Sequence, residues 1–296
     1  MESNEISSHL AQHFSLQGTL SPLAGELDLN YKLDTDQGDR FIVKVSRDPE
    51  TIASIPFQEA LLLHLKNSDF KGKIPAIIPN LKGSYKSVID MNGVVCVLRV
   101  FQWMDGRLWA KTNPVLSDLR HGLGNHLGQI TQNLQGFTHP FAHRNFEWDL
   151  SQCLWVTEHL HLFNASELAL INPFINAFKT HQKAYNTLPK SVIHNDANDH
   201  NIIVSHALIN PQIIGLIDYG DACYSQTIND LAIACTYGIM DTENPLAACL
   251  PIIKGYHESN PLSEQELLHL FHLIGMRLVV SLTKAAMNKK EHPENK

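Results

Sequence analysis

A polar loop between two apolar runs carries the side chains best suited to chemistry. From residue 194 to residue 201 it reads His-Asn-Asp-Ala-Asn-Asp-His-Asn, which has the spacing His-x-Asp-x-x-x-x-Asn. At this spacing the aspartate can face an acceptor hydroxyl and receive its proton. The asparagine, five peptide steps later, can turn back toward phosphates and hold a magnesium ion. The pattern predicts a phosphoryl-transfer loop with Asp196 as the base and Asn201 as a metal ligand.

A second acidic position follows seventeen residues after Asn201. There a short apolar run ends in Ile-Asp-Tyr-Gly at residues 217–220, so that Asp218 stands at the end of a predicted strand. A carboxylate in this position would hold the metal that bridges the nucleotide phosphates. Each pattern by itself is more often a turn or a strand end, because Asn and Asp satisfy local backbone donors. Their order and separation favour the catalytic interpretation.

The first hundred residues supply candidates for holding phosphates. Lys44 lies within the apolar run 41–45, where an unpaired ammonium would be costly to desolvate. Glu59, on the helix predicted to follow, is placed to pair with it. Gly25 lies between the first two candidate strands and would let the backbone approach a phosphate, although no Gly-x-Gly-x-x-Gly motif is present.

Two regions of different character position these residues. The first reads as strands at 16–24, 29–35, 41–45, 85–91 and 94–101 around one helix at 49–65. After residue 106 the apolar spacing predicts helices at 116–134, 150–163, 167–186, 226–240, 244–257 and 263–287, with short strands at 191–193, 201–204 and 213–217. These patterns predict an α+β protein with a small β-rich N-terminal lobe and a larger, mainly helical C-terminal lobe.

Composition and charge exclude several classes of protein. Lys and Arg total 23 against 30 Asp and Glu, a net charge of −7 that repels phosphate backbones and anionic lipid. We therefore expect neither nucleic acid nor membrane partners. Five widely spaced cysteines and the absence of an apolar leader favour reduced thiols in a cytoplasmic protein.

Lys44, Glu59, Asp218 and the loop 194–201 together resemble the aminoglycoside phosphotransferase and choline kinase superfamily of small-molecule kinases. The resemblance spans nearly the whole chain and implies a two-lobed, protein-kinase-like fold. It implies a nucleotide-binding lobe at 1–102, a hinge at 103–106 and a catalytic and substrate-binding lobe at 107–296.

The same resemblance assigns further roles. Gln102 and Met104 would hydrogen-bond the nucleotide base through backbone groups at the hinge. His194 would brace the catalytic loop without exchanging protons. Asn195 stands where an arginine usually precedes the aspartate, and no Ala-Pro-Glu segment follows Asp218, so phosphorylation of proteins is not expected.

Segments 23–30, 57–60, 148–150 and 192–202 look most like the hydroxylysine kinase branch, which includes domains fused to class III aminotransferases. The likeness implies transfer of the γ-phosphoryl group of ATP or GTP, with Mg²⁺, to a hydroxyl of an amine-bearing metabolite. The first candidate is 5-hydroxylysine, and GTP is the nucleotide this branch favours. A fusion to, or association with, an aminotransferase is also implied.

A hydroxyamino acid carries two ammonium groups and a carboxylate, so its site should offer acidic groups and a guanidinium. The candidates are Asp149, Asp199, Asp221 and Arg277. Arg277 lies in an otherwise apolar helix, where it could bind a carboxylate or form an interlobe or surface salt bridge.

Two alternatives for the function stay open at this level, and a third alternative is that the chain is a domain of a longer polypeptide. One is a related kinase that acts on homoserine, choline, ethanolamine, methylthioribose or an aminoglycoside. The other is a catalytically silent kinase-like binding module, although Asp196, Asn201 and Asp218 are all present.

Overall fold

The computed structural model describes residues 2–25 and 27–291, which form two compact units. The first unit contains the chain up to Asn67 together with Lys73–Asp105. The second contains Ser68–Gly72 and the chain from Gly106 onward. The assignment of the short segment Ser68–Gly72 to the second unit was not evident from sequence patterns. Residues 292–296 of the predicted C-terminal lobe lie outside the described residues.

The described elements confirm the predicted α+β class. The helices are α1 (Glu2–Phe14), α2 (Pro49–Asn67), α3 (Ser117–Asn133), α4 (Ala165–Tyr185), α5 (Ile228–Gly238), α6 (Pro245–Ser259) and α7 (Glu264–Glu291). The strands are β1 (Gly18–Leu23), β2 (Leu29–Thr35), β3 (Arg40–Ser46), β4 (Ile77–Ile78), β5 (Ser87–Met91), β6 (Val94–Gln102), β7 (Arg107–Leu108), β8 (Lys190–Ile193), β9 (Ile202–Val204), β10 (Ile213–Leu216) and β11 (Cys223–Gln226). Short 3-10 helices span Trp109–Lys111, Pro140–Ala142 and Tyr219–Asp221, and a longer one spans Leu150–Leu162.

An antiparallel sheet forms most of the first unit. Its strands run in the order β1-β2-β3-β6-β4, and β5 pairs with another part of β6. The β5–β6 hairpin turns at Asn92 and Gly93, whose φ angles of 56° and 81° are those that an Asn-Gly turn requires. In the β3–β6 register Lys44 lies opposite Arg99. Since strand side chains alternate between faces, Lys44 points away from the face that Val43 occupies.

Helix α1 covers one face of this sheet and was missed by the sequence reading. Ile6, Leu10 and Phe14 recur every four residues and are buried in a cluster with sheet residues. The sheet members are Tyr31, Leu33, Phe41, Val43, Val45, Ile89, Met91, Cys96, Leu98 and Val100. Three apolar residues in a polar segment give only a weak periodic signal. The helix is stabilised mainly because these residues pack against the sheet.

The second unit is mainly helical and contains two small antiparallel sheets, β10-β9-β7 and β11-β8. Helices α3 and α6 approach each other closely at Gly124 and Gly255. A Cβ atom on Gly124 would lie 1.8 Å from the Ile252 carbonyl oxygen, and one on Gly255 would lie 2.0 Å from that of His121. Only glycine therefore permits this crossing. Helix α3 also packs against β8 and β10, next to whose ends the predicted catalytic residues lie.

Helix α7 is, among the described helices, the one long and apolar enough to cross a bilayer by length and composition. Its most apolar 18-residue window has a mean hydropathy of 1.4, and 44% of that window is buried within the protein. It packs against α4, α5 and the 3-10 helix Leu150–Leu162. We interpret α7 as a core helix of the second unit.

His126 of α3 is buried beside Phe70 and Gly72. Burial, reinforced by nearby His194, lowers the pKa of His126 from 6.5 to about 4. The unfolded chain therefore takes up a proton at a higher pH than the folded chain does. This histidine contributes its full stability above about pH 6.5 and loses that contribution as the pH falls toward 4.

We expect the free energy of unfolding to fall by up to about 3 kcal/mol between pH 6.5 and pH 4 because of this one group. The measurement is a series of urea unfolding curves across that range. His126→Gln should lack this component of the pH dependence, whereas His200→Gln, which changes a side chain that is 71% exposed, should retain it. An identical pH slope in the wild type and His126→Gln would contradict the assignment.

Candidate active site

The loop between β8 and β9 surrounds the Asp196 carboxylate with hydrogen-bond donors. Its Oδ2 accepts from Asn198 Nδ2 at 3.0 Å and from Asn201 Nδ2 at 2.7 Å. Its Oδ1 accepts from Arg277 Nη2 at 3.0 Å, and the side chain is 19% exposed. A carboxylate oxygen has two lone pairs, so Oδ2 is fully used and Oδ1 keeps one for a further donor.

His194 is fully buried behind this carboxylate. Its Nδ1 accepts from the Asp196 backbone N–H at 3.2 Å, and its Nε2 donates to the Ile217 carbonyl at 3.1 Å. A single neutral tautomer satisfies both bonds. The edge-to-face contact with Tyr219, at 4.5 Å between ring centroids, fixes the ring further. Backbone groups therefore occupy both ring nitrogens of His194.

Asp230 anchors the catalytic loop, and sequence reasoning missed it. Its two carboxylate oxygens accept from the backbone N–H groups of His194, at 2.9 Å, and Asn195, at 2.7 Å. Burial raises the pKa of Asp230, while His194 and the two backbone donors act in the opposite direction. A carboxylate within the apolar run 228–235 was the signal that could have identified it, since a buried charge needs partners.

Asp218 and Asn201 offer oxygen atoms that suit a hard cation. Asp218 is exposed, has a left-handed φ of 61° and caps the 3-10 helix Tyr219–Asp221. Asn201 donates its amide nitrogen to the backbone oxygen of Asp196 at 3.0 Å as well as to its carboxylate, which leaves the side-chain oxygen as the atom able to bind a cation. Carboxylate and amide oxygens are ligands that Mg²⁺ accepts. The donor set therefore fits the predicted metal.

Within residues 2–25 and 27–291, no group of three or more His, Cys, Asp or Glu residues could hold a metal ion. A cation on Asn201 and Asp218 would take its other ligands from phosphate oxygens and water. Mg²⁺ commonly binds in this way, with one or two protein carboxylates.

Asp221 shares the electrostatic environment of these groups. Burial, together with the carboxylates of Asp196 and Asp218, raises the pKa of Asp221 to about 7, while Arg144 and Arg277 oppose the shift. The second unit thus gathers three acidic side chains and two guanidinium groups in one region.

Arg144 is a further residue that sequence patterns did not reveal. It donates to the backbone carbonyls of Gly220, at 2.8 Å, and Ala222, at 3.2 Å. Its guanidinium lies 4.2 Å from the ring centroid of Phe146. These contacts hold the turn that follows Asp218.

Asp149 was predicted to contact the substrate, but its surroundings give it a structural role. It is 2% exposed. Its Oδ1 accepts from the Ser151 backbone and from Ser225 Oγ at 2.6 Å, and its Oδ2 accepts from Ser151 Oγ and Gln152. We leave it out of the proposed acceptor site for this reason. Asp199 is half-buried and lies 3.1 Å from His200 Nδ1, so it stays a candidate.

In the first unit, Glu59 lies beside a lysine that the sequence patterns did not indicate. The Glu59 carboxylate lies 3.7 Å from Lys86 Nζ, and Lys86 precedes β5, far along the chain from α2. Lys44 is half-buried opposite Arg99, which is itself buried and donates to Gln58 Oε1 at 2.8 Å. The sequence could not show that Lys86 would reach Glu59, because the two are brought together only by the fold of the first unit.

Gly25 lies in a loop that folds back on itself. A Cβ atom there would lie 2.3 Å from Asn30 Nδ2 and 2.6 Å from the Asp28 carbonyl oxygen. Asn30 Nδ2 also donates to the Ala24 carbonyl at 3.1 Å. A side chain at residue 25 would therefore displace the loop.

Gln102 and Met104 lie at and just beyond the end of β6. The backbone N–H of Gln102 donates to the backbone carbonyl of Ala76 at 2.8 Å, and the side-chain amide of Gln102 donates to the backbone carbonyl of Arg40 at 3.1 Å. A contact from Gln102 to the nucleotide base would therefore use the backbone carbonyl oxygen of Gln102.

The family model described as the phosphotransferase enzyme family matches residues 19–259, which is most of the chain. The chain belongs to this family. The match confirms the resemblance that the motifs suggested and makes the protein a small-molecule phosphotransferase with a kinase-like fold.

A relative of this phosphotransferase is the mouse (Mus musculus) hydroxylysine kinase, 25% identical over 302 residues that cover 94% of this chain and 79% of the relative. A microcompartment-associated aminopropanol kinase has a similar structure, with a TM-score of 0.71, 20% identity and coverage of 94% of this chain and 87% of that chain. An amicoumacin kinase, solved with AMP-PNP and Ca²⁺, has a TM-score of 0.73 at 16% identity and covers 97% of this chain and 86% of that one. The two structures support the fold of the phosphotransferase.

Proposed function

We propose that this phosphotransferase transfers the γ-phosphoryl group of ATP or GTP to a hydroxyl of an amine-bearing metabolite, with 5-hydroxylysine as the first candidate. The observation that supports this proposal most directly is the geometry of the Asp196 carboxylate. Three donors hydrogen-bond to it, and one lone pair of Oδ1 is left for an acceptor hydroxyl. Similarity to hydroxylysine kinase supports the choice of acceptor.

In the proposed reaction the acceptor hydroxyl donates to Asp196 Oδ1. Its oxygen forms a bond to the γ-phosphorus as the bond from that phosphorus to the β,γ-bridging oxygen breaks, and its proton passes to Oδ1. Since the transition state of phosphoryl transfer is loose, alignment of the hydroxyl contributes more than base strength. A Mg²⁺ ion on Asn201 and Asp218 would neutralise charge that develops on the phosphates.

The nucleotide contacts of the first unit are part of the same proposal. Lys44 would bind the α- and β-phosphates, and Gly25 would let the backbone approach them. Glu59 would orient the cationic groups near the phosphates. The nucleotide base would hydrogen-bond to backbone groups of Gln102 and Met104.

Recognition of the acceptor should depend on its ammonium groups. Asp199 and Asp221 are the carboxylates that could pair with them. A choline or ethanolamine acceptor has one cationic nitrogen, whereas hydroxylysine has two. We therefore expect both carboxylates to contribute most to the binding of an acceptor that has two ammonium groups.

A panel of acceptors with ATP and GTP tests the function. It contains 5-hydroxylysine, homoserine, choline, ethanolamine, methylthioribose and an aminoglycoside, and the readout is kcat/KM. We expect the highest value for 5-hydroxylysine, loss of turnover with EDTA, and recovery on addition of excess Mg²⁺. A higher value for another acceptor would reassign the substrate, and nucleotide binding without turnover would identify a silent binding module.

We further propose a cytoplasmic location. The five cysteines are free and buried in the structure. Unpaired thiols are usual in a reducing compartment. Fusion to, or association with, a class III aminotransferase stays a prediction of the family resemblance.

A further inference from the structure

Arg277 occupies an unusual position in the middle of α7. Its side chain is 2% exposed, and its guanidinium lies 4.7 Å from the ring centroid of Trp148 and 5.7 Å from that of Tyr237. Its Nη2 donates to Asp196 Oδ1 at 3.0 Å, and its Nη1 is 3.5 Å from the Trp148 carbonyl oxygen. A buried guanidinium is costly unless it is paired, so the ring contacts and the helix fix it in one place.

The two oxygens of Asp196 are held by different parts of the fold. Asn198 and Asn201, which belong to the same loop, hold Oδ2. Arg277, which lies 81 residues away in the chain, holds Oδ1. Without Arg277 the carboxylate would be attached through Oδ2 only and could pivot about that oxygen. The orientation of Oδ1 therefore depends on α7.

We propose that Arg277 is a positioning residue that aims the Oδ1 atom of Asp196 at the acceptor hydroxyl. The inference rests on the proposed function, because Oδ1 is the oxygen that would receive the proton. It differs from the carboxylate-binding role predicted from the sequence, since the guanidinium is bonded to the base itself. In enzyme catalysis, a misplacement of about 1 Å can reduce the rate by about a hundredfold.

Two variants and a matched control test this role. Arg277→Met removes the guanidinium but keeps a long apolar side chain, and Arg277→Lys keeps the charge but loses the planar fork. Lys284→Met is the control, because Lys284 lies two turns further along α7, pairs with Glu147 and lies over Trp155 at 5.2 Å. It thus loses a similar cation–aromatic contact without affecting Asp196.

We expect Arg277→Met to lower kcat by about 10- to 100-fold, with the KM of the acceptor and the Kd of the nucleotide changed by less than about threefold. Arg277→Lys should lose about tenfold, and the control should stay within about twofold of the wild type. If Arg277→Met fails to fold, a wild-type kcat in Arg277→Lys would overturn the proposal. A positive charge without the planar guanidinium would then be sufficient for full activity.

A double-mutant cycle separates positioning from a general structural effect. In the Asp196→Asn background, Arg277→Met should change the residual rate by less than about threefold, because there is no carboxylate left to aim. A full additional loss in that background would overturn the proposal. Wild-type activity in Asp196→Asn would instead refute the proposed function, so the two failures are distinguishable.

A pair of acceptors excludes the other role of Arg277. 5-Hydroxylysine and 1,5-diaminopentan-2-ol differ only in the carboxylate. A positioning residue should affect both to the same extent, so Arg277→Met should lower kcat for the two acceptors by the same factor. A loss confined to 5-hydroxylysine would show that Arg277 binds the substrate carboxylate and would overturn the proposal.

Discussion

Replacing Asp196 by Asn should lower kcat at least about a hundredfold, which is the scale of a general-base and positioning contribution. The substitution preserves the shape of the side chain but removes its ability to take a proton at physiological pH. It also leaves one oxygen acceptor for the three donors that converge on the carboxylate, from Asn198, Asn201 and Arg277. The measurement is steady-state turnover with the best acceptor of the panel.

Nucleotide affinity and folding provide the controls for this variant. We expect the Kd of the nucleotide to change by less than about threefold, since Asp196 would contact the acceptor. An unpaired buried donor costs about 1–3 kcal/mol, so thermal unfolding must be measured beside the kinetics. Asp118→Asn, in the first turn of α3, is the control for an acidic residue outside the site and should keep wild-type turnover. Near-normal turnover of a folded Asp196→Asn variant would remove Asp196 from its assigned role.

Asp218→Asn should lower kcat by about a hundredfold and raise the Mg²⁺ concentration required for half-maximal rate. The reason is the loss of an anionic ligand from a metal that supplies several kcal/mol of charge stabilisation. Asparagine tolerates the left-handed backbone of this position, where φ is 61°, so the fold should survive. Mg²⁺ titrations of the rate, with thermal unfolding of each protein, provide the measurement.

Asp241→Asn is a closely matched control for that variant. Asp241 is also an aspartate with a left-handed φ, of 57°, but it lies in the loop that follows α5. We expect its Mg²⁺ dependence and kcat to match those of the wild type. If Asp218→Asn showed the same half-saturating Mg²⁺ concentration as Asp241→Asn, Asp218 would not be a metal ligand.

Local patterns predicted the catalytic loop because the covalent chain limits where its residues can lie. Asp196 and Asn201 are five residues apart between two short strands, and their side chains meet at 2.7 Å. The Asn92–Gly93 hairpin was equally predictable, since its backbone geometry depends on those two residues. Helix α1 was not, because its three apolar residues become informative only against the sheet.

The neighbours of a charged side chain are harder to predict from the sequence than helices and strands are. Glu59 is predicted to pair with Lys44 because the two are close in the chain and opposite in charge, and the structure places its carboxylate 3.7 Å from Lys86 Nζ. Asp149 was assigned to the substrate because of its charge, yet serine and glutamine side chains surround it. A charge pattern indicates that a buried charged residue needs a hydrogen-bond or ion-pair partner, but it does not identify which residue that partner is.

The sequence by itself determined the α+β class and the residues of the loop 194–201, because these follow from apolar periodicity and from spacing over a few peptide units. The family came from the resemblance of the motifs to known kinases. The tertiary structure alone decided how the loop is held. Asp230 reaches His194 across 36 residues, and Arg277 reaches Asp196 across 81. Such contacts form only when helices pack and bury the charges, and burial then makes each charge dependent on its partner. The sequence therefore identified the proposed base, and the packing of α5 and α7 decided its orientation.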